Sequence, residues 1–250
     1  MTNAIIDPLA IIELTNLKAA GKLEELAWHP QLGMRPEWVK ELVQNEHWRI
    51  RYNLSQNRAI ASSPKAIQTL AADEHSLVRY WLAENPAIAN FPEIVDKLSI
   101  EKDAWVRSCL AQNTALANCS KILTKLAKDK NPTVRAYLAR NPAIASYPEI
   151  VEKLATDENS DVRYNLALNP SLANHPEIIE RLSVDKDPFV LICLARNPAL
   201  AEFPDIITKL SKDRSESVRS SLAKNPAIPS STAIANSWQT AQQTTQVPSI

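Results

Sequence analysis

Val162-Arg163-Tyr164-Asn165-Leu166-Ala167-Leu168-Asn169-Pro170, followed by Pro176-Glu177-Ile178-Ile179-Glu180-Arg181-Leu182 and Asp185, is the stretch whose reading decides the fold. The same words return upstream. Val134-Arg135 precedes Leu138-Ala139-Arg140-Asn141-Pro142, Val106-Arg107 precedes Leu110-Ala111-Gln112-Asn113, and Val78-Arg79 precedes Leu82-Ala83-Glu84-Asn85-Pro86. Downstream they recur at Val190-Leu191 and Val218-Arg219. From Arg79 to Arg107, Arg135 and Arg163 the step is 28 residues each time. A fixed period of this size signals stacked supersecondary units, each touching only its neighbours, in place of one globular core. The expected fold is all-α: a right-handed α-solenoid of about eight two-helix repeats, capped at both ends.

Composition narrows the function classes. Two glycines in 250 residues leave almost no room for phosphate-cradling glycine loops. The formal net charge of zero argues against a surface that tracks nucleic-acid phosphates. No apolar run approaches the ~18 residues of a membrane span, and Met1–Pro8 lacks the pattern of a secretory signal. Cys109, Cys119 and Cys193 are odd in number, with no C-x-x-C spacing, so a disulfide framework is not expected. These features point to a reduced, cytoplasmic protein.

Taken in order, Asp7-Pro8 opens an N-terminal capping helix that stops near Gly21, giving a cap over 1–21. Repeats are expected over 22–240. They begin with a degenerate unit in which Leu26-Ala27-Trp28-His29-Pro30 is in phase with Leu82-Ala83-Glu84-Asn85-Pro86. Each unit then holds two short helices. Helix A follows a polar cap residue: His47, His75, Asp103, Asn131, Asn159, Asp187 or Ser215. Helix B starts at Pro36, Pro64, Pro92, Pro148, Pro176 or Pro204, usually with an acid next, where the helix dipole favours negative charge. Asn-Pro pairs end helix A, because the residue before proline avoids the α region. An Ala-Ile-Ala or Ser-Leu-Ala turn then drops its apolar residue inward. A last capping helix is expected around Thr232 and Trp238, and a disordered polar tail over 241–250.

The string Val-Arg-x-x-Leu-Ala-x-Asn-Pro, then Pro-Glu-Ile-Ile-x-x-Leu and an Asp, resembles the leucine-rich repeat variant family and its HEAT-like α-solenoid relatives, over roughly residues 22–240. The resemblance implies core roles for Val162, Leu166, Ile178 and Leu182, places Arg163 and Asp185 between units, and implies no chemistry of the solenoid's own. This chain's unit is longer than the family's, with the extra residues after Asn-Pro. It also lacks the four cysteines of the founding members' iron–sulfur segment.

Several rows of residues could carry function. Arg51, Arg79, Arg107, Arg135, Arg163 and Arg219, interrupted by Leu191, run with the period of Asp73, Glu101, Asp129, Asp157, Asp185 and Asp213. Guanidinium forks suit inter-unit bonds to carboxylates or turn carbonyls, so this row reads as a structural ladder. Asn85, Asn141 and Asn169, with their equivalents, read as helix-end residues bonding local backbone. His47 and His75 lie one period apart, but stacked helices sit about 8–10 Å apart and no third ligand joins them. Neither a metal nor a cofactor is expected. No catalytic constellation is present, so an enzyme is not expected either.

The informative positions are those where the units disagree. On a 100° wheel with Val78 at zero, Leu82 and Ala83 define the packed side, while Leu77, Tyr80, Trp81 and Glu84 point away, at about 200–300°. The equivalent sets include Asn53, Ser108, Cys109, Ala136, Cys193 and Ser221. Seven aromatics land on this face (Tyr52, Tyr80, Trp81, Trp105, Tyr137, Tyr164 and Phe189), half of the chain's six Trp, five Tyr and three Phe. Aromatics interleaved with Arg140 and glutamines have the composition of a protein-binding surface. The expected function is a non-enzymatic scaffold binding a protein or extended peptide, anchored by Trp81, Trp105 and Tyr137. Two alternatives are a nucleic-acid-binding HEAT-like module and, behind it, a chromophore-loading protein in which Cys109 or Cys193 would matter. A monomer with no membrane association is expected.

Overall fold

The computed structural model describes residues 8–228. Asp7, the terminal helix expected around Thr232 and Trp238, and the tail 241–250 lie outside the described residues. The chain divides after Leu126 into two compact units. The first holds α1 (Pro8–Ala19), α2 (Leu23–Trp28), α3 (Pro36–Leu42), α4 (Trp48–Gln56), α5 (Pro64–Leu70), α6 (Ser76–Glu84), α7 (Pro92–Leu98), α8 (Ala104–Gln112) and α9 (Ser120–Leu126). The second holds α10 (Pro132–Arg140), α11 (Pro148–Ala155), α12 (Ser160–Ala167), α13 (Pro176–Leu182), α14 (Pro188–Arg196), α15 (Pro204–Ser211) and α16 (Glu216–Ala223). No strand occurs among the described residues. The protein is an all-α helical-repeat chain.

The helices begin where backbone chemistry directs them. Pro36, Pro64, Pro92, Pro148, Pro176 and Pro204 each occupy the first turn of a B helix, where a missing N–H costs nothing. Gly21, at φ +68°, closes α1 in the left-handed conformation that side chains resist. The expected A-helix caps divide. Asp103, Asn131, Asn159 and Asp187 accept the amide two residues on. His47, His75 and Ser215 make no side-chain cap bond. The His75 ring instead stacks on Trp48, 4.1 Å between centroids and 5° between planes.

The two-helix description is also incomplete. After most A helices comes a short 3-10 helix, such as Pro86–Asn90, Pro142–Ser146 or Pro170–Asn174. Each drops one aliphatic side chain inward; Ile88, Ile144 and Leu172 are buried. In the first unit α2, α4, α6 and α8 pack side by side, and the 3-10 turns form a row of their own. In the second, α10, α12, α14 and α16 do the same. The core lies between these rows and the B helices. Val162, Leu166, Ile178 and Leu182 are all fully buried in it, each such side chain worth about 1.5–3 kcal/mol.

Two polar ladders tie repeat to repeat. The helix-end asparagines do more than the local bonding expected of them. Asn169 accepts the Ser171 amide on Oδ1, while Nδ2 donates to the carbonyls of Ala139 (2.8 Å) and Asn141 (3.1 Å) in the preceding repeat. Asn57, Asn85, Asn113, Asn197 and Asn225 repeat this reach to carbonyls 30 and 28 residues back. The arginines form the second ladder. Arg163 donates through Nη1 to the Asp157 carbonyl at 2.7 Å, and through Nε and Nη2 to both oxygens of Asp185 at 2.6 and 2.9 Å. Arg51 with Asp73 and Arg135 with Asp157 are bidentate in the same way, and Arg79 reaches Glu101. Each of these aspartates also accepts an amide two residues on, that of His75, Asn159 or Asp187.

Candidate partner-binding faces

Within each unit the A helices present their outward sides in a row, and helix geometry decides which residues reach solvent. With the valine position at zero, the residue before it falls at about 260° and the residue six after it at about 240°. These two mark the centre of the outward face. In the first unit they are Arg49, Leu77 and Trp105, and then Gln56, Glu84 and Gln112. Trp105 is 58% exposed and Leu77 42%.

The residues two and three after the valine flank that centre, and these shoulders turn toward the neighbouring A helices. Asn53, Ser108 and Cys109 in the first unit, and Ala136, Cys193 and Ser221 in the second, are therefore buried. This corrects the expectation that they point away. Tyr52, Tyr80 and Trp81 are half-buried for the same reason. Trp81 meets Tyr52 edge-on at 6.1 Å across the α4–α6 seam and Tyr80 at 5.3 Å, while Trp48 lies edge-on to Tyr52 at 5.9 Å. Trp81 is thus partly a packing residue.

The expected site omits Trp28, although its phase is legible: it lies two periods before Glu84. It ends α2 as Gln56, Glu84 and Gln112 end α4, α6 and α8. The four final residues and the Trp81 ring line one groove of about 350 Å³. Trp28 is 48% exposed. Arg58, just past α4, also borders the groove. Among the described residues neither Arg58 nor Glu84 is held in an ion pair.

In the second unit Tyr164, Phe189, Ile192, Arg196, Ser220 and Lys224 border a hollow of about 530 Å³, with Glu216 at its edge. Phe189 is 68% exposed. Tyr137 is half-buried and Arg140 exposed, and neither borders this hollow.

Ion pairing and burial shift several titratable groups. Burial works to raise the Asp157 and Asp185 carboxyls, but the bonds from Arg135 and Arg163 and from backbone amides outweigh it, and both are held below the ordinary range. The same bonds raise Arg135 and Arg163. Burial pushes the Cys109 thiol up to about 12, against weaker opposition from the Tyr80 hydroxyl. Cys193 is raised by burial as well. Both cysteines are packed shoulders, and Cys193 also touches the hollow of the second unit.

Among the described residues no group of three His, Cys, Asp or Glu is arranged to hold a metal ion. Among them, too, no helix is long and apolar enough to cross a membrane.

No protein-family model matches the chain, and no curated protein matches it. Among solved structures it is similar to the X-ray structure of YibA from Escherichia coli. The identity is 17%, the match covers 88% of this chain and 89% of that one, and the TM-score is 0.44.

Proposed function

We propose that the protein is a non-enzymatic scaffold that binds a protein or extended peptide across its A-helix faces, and that its repeats are divergent relatives of the leucine-rich repeat variant and HEAT-like solenoids. One observation carries the binding reading. Among the described residues, the large exposed aromatics Trp28, Trp105 and Phe189 all stand on A helices, at positions packing does not dictate. Exposed aromatic area beside Gln and Arg is the composition of binding hot spots. Three arginines of the ladder, by contrast, are accounted for: Arg51, Arg135 and Arg163 are buried and saturated by carboxylates and carbonyls, which leaves these three unable to track phosphates and weighs against the nucleic-acid alternative.

The test is photo-crosslinking in the native cell. A benzoyl-phenylalanine at position 105 should give a discrete adduct that the same probe at Glu93, exposed at the start of α7, does not. Equal adducts at both positions, or none at 105, would defeat the reading. An adduct that dissolves on nuclease treatment would favour nucleic acid.

A further inference from the structure

The groove of the first unit has a periodicity that selects the backbone shape of its occupant. The floor residues Trp28, Gln56, Glu84 and Gln112 come from α2, α4, α6 and α8, one from each consecutive helix of the row. Packed helices stand about 8–10 Å apart, so equivalent contacts recur at that interval. An extended β-strand returns to the same face every second residue, at about 6.6–6.8 Å, and its third residue faces away. A polyproline II helix has three residues per turn and rises about 3.1 Å per residue, returning to one face every ~9.3 Å. An α-helix comes near the spacing only at its seventh residue, with a drift of about 20° each time.

Resting on the scaffold reading above, we infer that the first unit's groove binds a proline-rich segment in the polyproline II conformation. Three intervals of about 8–10 Å take about eight to ten residues at about 3.1 Å each.

The side chains fit that ligand. Such a segment has no internal hydrogen bonds, so its carbonyls can accept the second N–H of the Gln56 and Gln112 carboxamides, whose first is turned to the Tyr52 carbonyl and the Cys109 sulfur. Trp28 and Trp81 supply flat faces for proline rings, the mode aromatic grooves use for this backbone. Charge adds one feature. Glu84 lies in the floor row without a cationic partner among the described residues, whereas Arg58 stands outside the row in the turn after α4. The occupant's residue opposite Glu84 is therefore Lys or Arg.

The experiment is a fluorescence-anisotropy titration of the full chain with three labelled nine-residue peptides. One is oligoproline with a central Arg, one is oligoproline with a central Glu, and one is a Gly/Ser peptide with a central Arg. The first should bind, the second at least about tenfold more weakly, and the third not measurably. Trp28→Ala and Gln112→Ala should each weaken the first peptide at least about tenfold. Circular dichroism should stay unchanged, because Trp28 is exposed and Gln112 is half-buried with a single weak bond to the Cys109 sulfur. Arg196→Ala, in the other unit, should bind it as the native chain does.

Failure of the first peptide to bind at millimolar concentration, or equal binding of all three, overturns the inference. So does binding that survives both variants. A helix-forming peptide that binds where oligoproline does not would also overturn it. Any of these results, combined with a discrete adduct at position 105, would leave the scaffold reading standing; loss of both would remove the two together.

Discussion

Replacing Arg163 with leucine isolates one rung of the arginine ladder. The guanidinium gives two bonds to Asp185, at 2.6 and 2.9 Å, and one to the Asp157 carbonyl at 2.7 Å. Both side chains of the pair are under a tenth exposed. Removing one partner of a buried pair costs about 3–5 kcal/mol, because the remaining charge is left uncompensated. Asp185 keeps the Asp187 amide at 2.9 Å, and a leucine at this position can pack, as Leu191 does one repeat on. The expected loss is therefore about 2–4 kcal/mol at pH 7. With a urea m-value of about 2 kcal/mol/M this moves a midpoint, read by far-UV circular dichroism, down by about 1–2 M.

The pH dependence adds a second arm. In the native protein the Asp185 carboxyl is lowered, so its contribution is complete above the unfolded value of about 3.9 and is lost as pH falls through the lower folded value. In the variant the burial remains without the arginine, and protonation relieves the orphaned charge. The deficit should shrink between pH 7 and pH 3.5, and Arg163→Leu with Asp185→Asn should recover much of it at neutral pH. An unchanged midpoint, or a deficit that stays constant down to pH 3.5, would show that the rung contributes nothing through its charge.

Asn169 is fully buried and holds three backbone groups. Asn169→Ala should cost about 2–4 kcal/mol in urea denaturation by orphaning two carbonyls; a loss under about 0.5 kcal/mol would mean water replaces the amide. Ellman's reagent at pH 8 should label native Cys119, half-exposed, far faster than Cys109 or Cys193, which burial raises, and comparable rates for all three would contradict the packed shoulders. The two glycines should respond differently to alanine. At Gly33 a Cβ would meet the Ala59 carbonyl oxygen at 2.6 Å, whereas at Gly21 nothing lies within 4 Å and only the positive φ opposes it. Thermal melts should show Gly33→Ala losing about 1–3 kcal/mol and Gly21→Ala about 1 kcal/mol, and the reverse order would count against the close approach of the two turns.

The repeat and the helix starts are legible in the sequence because they rest on local chemistry. A proline at N1 and an asparagine before proline act through their own backbone, so Pro92 and Asn85 mark boundaries whatever surrounds them. What escapes the sequence depends on neighbours that a single helix cannot display. The wheel places Cys109 outward because it knows the helix axis and not the adjacent A helix that covers that shoulder. Asn169 reads as a local capper because its second pair of partners lies 28 and 30 residues back. His75 reads as a cap because its slot holds caps in other repeats; here the ring stacks on Trp48, one repeat earlier. The candidate site divides in the same way. Trp105 and Phe189 sit near the wheel's outward centre and are open to solvent, whereas Trp81, on a shoulder, shares its ring between groove and seam.

The asparagine ladder bears on how such a chain can change length over evolutionary time. Each amide finds its acceptors by a fixed offset along the polypeptide, so every repeat carries its own address for the one before it. Duplicating or excising a whole repeat inside such a run leaves the new junction with the same donors opposite the same acceptors. A gain or loss of a single amino acid misdirects the asparagine at that junction. Selection acting on these bonds would tolerate growth in whole repeats and reject fractions of them.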